Sequence, residues 1–244
     1  MPHPCRAVLV LGMLLVALTA AHARGAATSD PASTSPAPTP AVTAPAEPTP
    51  GAPPAEATPP PVSIDGFRSA HFGMTEAEVR KAIETDFKLS GSAVRPGDNP
   101  VERTHLLSVT VPDLVPDSGK AVIDYVLGYK SHSLIEVNVT WSTAADPAIK
   151  PTTLLHTGGT LQGYFQSEAF PAGQTAVNAM LANGSLLMFR GTDPAGHTVV
   201  LVLSGPVRQD PKDHKAQMTP AVLSLVYAID PAHPDVFRLQ KGTF

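Results

Sequence analysis

Cysteine is almost absent from this chain: Cys5 is the only one in 244 residues. It lies ahead of an apolar run over residues 7–18, whereas an acylated anchor cysteine stands just after such a run, so the sequence does not read as a lipoprotein. Residues 1–23 combine the cationic Arg6, that apolar run and the small-residue triplet Ala21-His22-Ala23, which predicts a secretory signal cleaved after Ala23. The run is too short for a comfortable membrane span of about 20 residues, and a retained anchor is the second reading. A chain cut after Ala23 has no cysteine, which removes disulfides, thiolate metal sites and cysteine nucleophiles together.

An excess of either charge is missing too. From residue 63 onward there are 15 Lys and Arg against 18 Asp and Glu, spread along the chain. Nucleic-acid binding needs a basic stripe, and a membrane-surface helix needs a basic amphipathic face; neither is present. Catalytic motifs are lacking as well. None of the nine histidines pairs with another at the i,i+4 spacing that places two imidazoles on one helix face. The nearest ligand groupings are Asp210 with His214, and Asp230 with His233 and Asp235. There is no Gly-x-Ser-x-Gly elbow, no phosphate loop at Gly158-Gly159 and no dinucleotide fingerprint. Asp124 and Glu136 can face each other across a hairpin, but acids on strands are ordinary. Asn138-Val139-Thr140 and Asn183-Gly184-Ser185 match the glycosylation triplet, which has meaning only in a eukaryotic secretory route.

Residues 24–62 are nearly all Ala, Pro, Thr, Ser and Gly, and 12 of the 27 prolines fall between Pro31 and Pro61. Such a segment has no large apolar side chains to offset the entropy of ordering. It reads as a disordered tether, stiffened toward polyproline II and reaching on the order of 100 Å. The remaining stretch, 63–244, holds about 180 residues, enough for one well-buried core without disulfides.

That domain opens on a capped helix. Thr75-Glu76-Ala77-Glu78 is a capping box, and Met74 stands where it staples onto Val79. Val79, Ala82, Ile83 and Phe87 then recur at helical spacing and predict a core-facing helix to residue 87. Residues 89–100 carry Gly91, Pro96, Gly97, Asp98, Asn99 and Pro100 and read as a loop. Alternation predicts strands over 104–111, 121–129 and 134–141, the last two joined at 130–133. A weaker helix follows over 152–167, in which Gly158 and Gly159 each cost about 1 kcal/mol relative to Ala. Residues 170–183 fit a short helix or a strand. A hairpin over 186–191 and 197–203 turns at Asp193-Pro194-Ala195-Gly196; residues 199–203 are apolar throughout and suggest a strand covered on both faces. Residues 206–220 read as an exposed polar loop, 222–229 as a last strand and 231–244 as an irregular tail.

The order helix, three strands, helix, three strands predicts an α+β fold: an antiparallel sheet of about six strands with two helices. A tandem duplication of a helix-plus-three-strands unit gives this string, and so does one sheet with both helices on one face. Phe72-Gly73-Met74-Thr75-x-x-x-Val79 resembles the opening motif of the small outer-membrane assembly lipoproteins, whose fold is similar to that of β-lactamase inhibitor proteins with tandem helix-plus-strands units. The resemblance implies a non-enzymatic envelope protein that binds other proteins.

The expectation is therefore an exported, periplasmic or secreted, protein-binding or scaffold domain on a Pro-rich tether. Its partner would be an envelope protein or cell-wall component. No nucleic acid, cofactor, metal or catalytic residue is implied, nor any membrane span once the signal is removed. The contact surfaces expected are the 206–220 loop, through Arg208, Lys212, His214 and Lys215, and the sheet edges, whose unpaired backbone groups accept a partner strand. The alternatives are an envelope hydrolase with dispersed catalytic residues, which requires a concave pocket of polar groups with perturbed ionisation, and an enzyme-inhibitor-like domain.

Overall fold

The computed structural model describes residues 60–209, 216–239 and 242. The expected signal, and the tether up to residue 59, lie outside the described residues. Two short strands, β1 (Gly66–Phe67) and β2 (Ala70–His71), pair and lead into α1 (Glu76–Phe87). The helix starts as its sequence demands. The Glu78 carboxylate accepts from both the amide and the hydroxyl of Thr75, each at 2.8 Å. Val79, Ala82 and Ile83 are buried, and Phe87 packs against the same core. Arg80 pairs with Glu76 on the outer face at 2.7 Å, and Lys88 closes the helix in a left-handed conformation.

The four strands β3 (Arg95–Asn99), β4 (Thr104–Val111), β5 (Ala121–Leu127) and β6 (Leu134–Ser142) follow as an antiparallel meander. Then come α2 (Pro151–Ser167) and the strands β7 (Thr175–Met180), β8 (Leu186–Thr192) and β9 (Thr198–Ser204). Beyond β9 a two-stranded ribbon, β10 (Val207–Gln209) with β11 (Ala216–Met218), runs out and back before β12 (Val222–Ala228). One continuous sheet results, in the order β3-β4-β5-β6-β12-β9-β8-β7. Each half is a helix followed by four sheet strands, and the halves meet at the antiparallel β6–β12 pair.

This corrects the expected α+β fold with about six strands. The described residues are sheet-dominated, 38% strand against 18% helix, and their large antiparallel sheet has eight strands. The repeating order is helix plus four strands, not helix plus three. The two strands that alternation did not show are the two edges. β3 lies inside the expected 89–100 loop, because an edge strand tolerates a proline such as Pro96 that a central strand does not. β7 lies in the ambiguous 170–183 stretch, where Asn178 adopts a positive φ of 52° and interrupts the alternation. The expected 206–220 loop likewise contains the β10–β11 ribbon.

Both helices lie on one face of the sheet. Leu107, Val109, Ile123, Tyr125, Val137, Val139, Trp141, Leu201 and Leu223 point toward them and join α1 and α2 in one core. Full burial of each large side chain is worth roughly 2 kcal/mol, well above the roughly 1 kcal/mol of a helix cap. Gly158 is what lets α2 sit close. A Cβ there would lie 2.7 Å from Met188 Sδ and 3.2 Å from Leu223 Cδ1, whereas one on Gly159 would meet open space. The helical cost of Gly158 thus returns as close packing.

Candidate functional site

Because paired residues of neighbouring strands project to the same side, the register maps the second face of the sheet. One row reads Arg95, Ser108, Asp124, Asn138, Val226, Val200 and Arg190. A row toward one end reads Thr110, Val122, Thr140, Ser224 and Val202; toward the other it reads Leu106, Val126, Glu136, Ala228 and Thr198. Leu106, Val122, Val126, Val200, Val202 and Val226 are half-buried, while Arg95 and Arg190 at the flanks are exposed. The expectation that the 199–203 strand is covered on both faces is therefore corrected. Val199, Leu201 and Leu203 are buried under the helices, and Val200 and Val202 belong to the second face.

A polar cluster sits within this face. Ser108 donates to Asp124, and Asn138 Nδ2 donates to Glu136 Oε1 at 2.6 Å. Asp124 lies opposite Asn138 and Glu136 opposite Val126, so the two acids are diagonal neighbours and not a direct pair. Burial raises both carboxyls above the usual range: Asp124 against the opposing effects of Ser108 and Arg95, and Glu136 up to about 7, with Asn138 opposing and the charge of Glu102 adding to the rise.

The chain after β12 crosses toward this end of the sheet. The Phe237 amide donates to the Glu102 carbonyl at 2.8 Å, its ring stands edge-on to Tyr129, and Arg103 lies 3.8 Å over its centroid. Asp235 is drawn into the β5–β6 turn. Burial alone would raise its carboxyl, but hydrogen bonds from the amides of Ser131 and Lys130 hold it below the usual range. The Asp235 carboxylate is thereby engaged in that turn, while Asp230 and His233 pair with each other at 3.5 Å. No group of three or more His, Cys, Asp or Glu side chains placed to hold a metal ion occurs among the described residues.

The residues singled out as contacts in sequence fall as follows. Arg208 is exposed on β10, opposite Gln217 of the ribbon. Lys212, His214 and Lys215 lie outside the described residues, as do Asp210 and the group it would form with His214. Of the four, Arg208 alone lies among the described residues. The second face, which sequence reasoning did not single out, had two signals: the acids Asp124 and Glu136 of one hairpin, and Val200 and Val202, more apolar than an alternating strand requires.

No family model, curated protein or solved structure matches the chain. No helix among the described residues is long and apolar enough to cross a membrane.

Proposed function

We propose that this chain is an exported binding protein whose domain, held on its Pro-rich tether, takes a protein of the cell envelope on the open face of its sheet. The observation that supports this reading is the mixture on that face of half-buried aliphatic and hydroxyl side chains between two flanking arginines. Eight strands at about 4.8 Å spacing and about seven residues long span roughly 34 Å by 23 Å. That is close to the ~800 Å² each partner contributes to a standard protein interface, and far more than a small ligand covers. Apolar patches rimmed by charge are what such contacts use.

Photo-crosslinkers at Val122 and Val200 in the full-length chain, expressed in its own envelope, test this. The reading expects one recurring protein neighbour from both positions and none from a crosslinker at His156 on α2. Equal labelling from all three positions would overturn it. The raised Asp124 and Glu136 favour a second reading, acid-base hydrolysis on the same face. It expects Glu136→Gln to abolish a cell-wall hydrolysis that the wild-type chain performs, and it fails if the wild-type chain releases no product.

A further inference from the structure

A second site lies on the opposite side of the sheet, where the chain enters the domain. The Val62 amide donates to the Ala169 carbonyl at 3.1 Å, so residues 62–66 run past the C-terminal end of α2. Between them is a pocket of about 100 Å³, lined among others by Asp65, Tyr164, Phe165, Glu168, Phe170 and Tyr227. Drug-sized ligands occupy pockets of about 300–1,000 Å³, so only a small group fits here. Tyr164 and Phe165 meet at 70° with centroids 5.1 Å apart, and Phe165 and Tyr227 at 64° with centroids 6.4 Å apart, so these lining rings pack edge to face, while Phe165 stacks on Phe189 at 19°. Two acidic residues line the pocket as well. The charge of Glu168 adds to the burial that raises the Tyr164 hydroxyl, and Asp65 is exposed and pairs with His71 at 3.1 Å. The nearby cation, Arg68, is engaged over the rings of Phe87 and Phe67, at 5.0 and 5.8 Å.

We propose that this pocket binds a quaternary ammonium headgroup. Aromatic faces attract a cation through their quadrupole, and the two carboxylates supply the opposite net charge. A primary ammonium brings three donors that need acceptors, whereas a trimethylammonium brings none and suits aromatic walls. The headgroup can come from a free choline-like molecule or from a phosphocholine lipid, and the two sources are separable.

The test titrates tetramethylammonium and choline into the full chain by calorimetry, with 3,3-dimethyl-1-butanol as the neutral isostere. The expected result is saturable binding of both cations and none of the alcohol. Tyr164 is more than half exposed and Glu168 partly so, so Tyr164→Ala and Glu168→Gln keep the fold, checked by unchanged thermal unfolding. Each variant is expected to weaken choline binding by about 2- to 30-fold. Co-sedimentation with phosphatidylcholine vesicles, competed by free choline, assigns the lipid source; choline binding without co-sedimentation assigns the free one. The proposal is overturned if neither cation nor vesicle binds, if the neutral isostere binds as well as choline, or if both folded variants keep wild-type affinity.

Discussion

Glu136 gives the sharpest quantitative test of the fold, because one half-buried carboxyl on the open face is held near 7 against an ordinary 4.5. Burial is the main cause, and the cost falls on the charged form. Between about pH 4.5 and 7 the folded chain keeps a proton that the unfolded chain has released. Stability therefore falls as pH rises through that window and levels off above it. A separation of roughly 2.5 pH units corresponds to about 3 kcal/mol at most; solvent access to a half-buried side chain reduces the observable part to about 1–2 kcal/mol. The measurement is urea unfolding of the full chain and of Glu136→Gln at about pH 5 and pH 8. Taking the difference between the two proteins cancels the other titrating groups, including Asp124, which is shifted the same way, and Asp235, shifted the other way. The variant should equal the wild type near pH 5 and exceed it by about 1–2 kcal/mol at pH 8. A variant no more stable than the wild type at pH 8 would refute the burial assigned to this carboxyl.

Three further outcomes follow from the packing. Gly159→Ala should stabilise the protein by up to about 1 kcal/mol through helix propensity alone, while Gly158→Ala should gain less or lose, because its methyl meets Met188 and Leu223; chemical denaturation that ranked the two the other way would place α2 wrongly. The Tyr125 hydroxyl is fully buried without a hydrogen-bond partner among the described residues, so Tyr125→Phe should leave stability unchanged or raise it by up to about 1 kcal/mol; a loss above that would reveal a partner. Asp193 accepts from the amides of Ile64, Ala195 and His197, so Asp193→Ala should cost about 3 kcal/mol and expose residues 60–66 to limited proteolysis, with Asp193→Asn intermediate.

The elements legible in sequence are those buried on a single face. The alternation in β4, β5 and β6 announces strands because every second residue enters the core, and the α1 stripe at Val79, Ala82 and Ile83 announces a helix for the same reason. The edges were illegible for a physical reason. β3 has one partner strand, so its sequence is free to carry Pro96 and Gly97, which read as punctuation. β7 buries so little on either side that almost no pattern is imposed on it. Of the open face, the pair Asp124 and Glu136 and the apolar Val200 and Val202 were visible; the register that interposes Asn138 is set by the β5–β6 pairing, and the return of the chain at Phe237 depends on a contact with Glu102 more than 100 residues away in sequence. The aromatic pocket was hidden in the same way, since residues 65, 164–170 and 227 meet only when the sheet is assembled.

The edges also bear on where the proposed partner would dock. The sequence favoured strand addition there, but both edges carry features that oppose it. β3 presents exposed Arg95, Pro96 and Asp98, and Pro96 has no amide proton to donate; β7 leaves the extended conformation at Asn178, whose φ is positive. Charge, proline and local irregularity are the devices by which sheets avoid pairing with other chains. With these features at both edges and the helices on one face, the other face, between Arg95 and Arg190, is the side of the sheet that no helix among the described residues covers. Reversing both flanking charges, as Arg95→Glu with Arg190→Glu, should then slow capture of the crosslinked neighbour and change its salt dependence, while replacing Asn178 by Val should not affect it. If the Asn178 change enhanced capture and the arginine reversals left it untouched, recognition would run along the edge and not across the face.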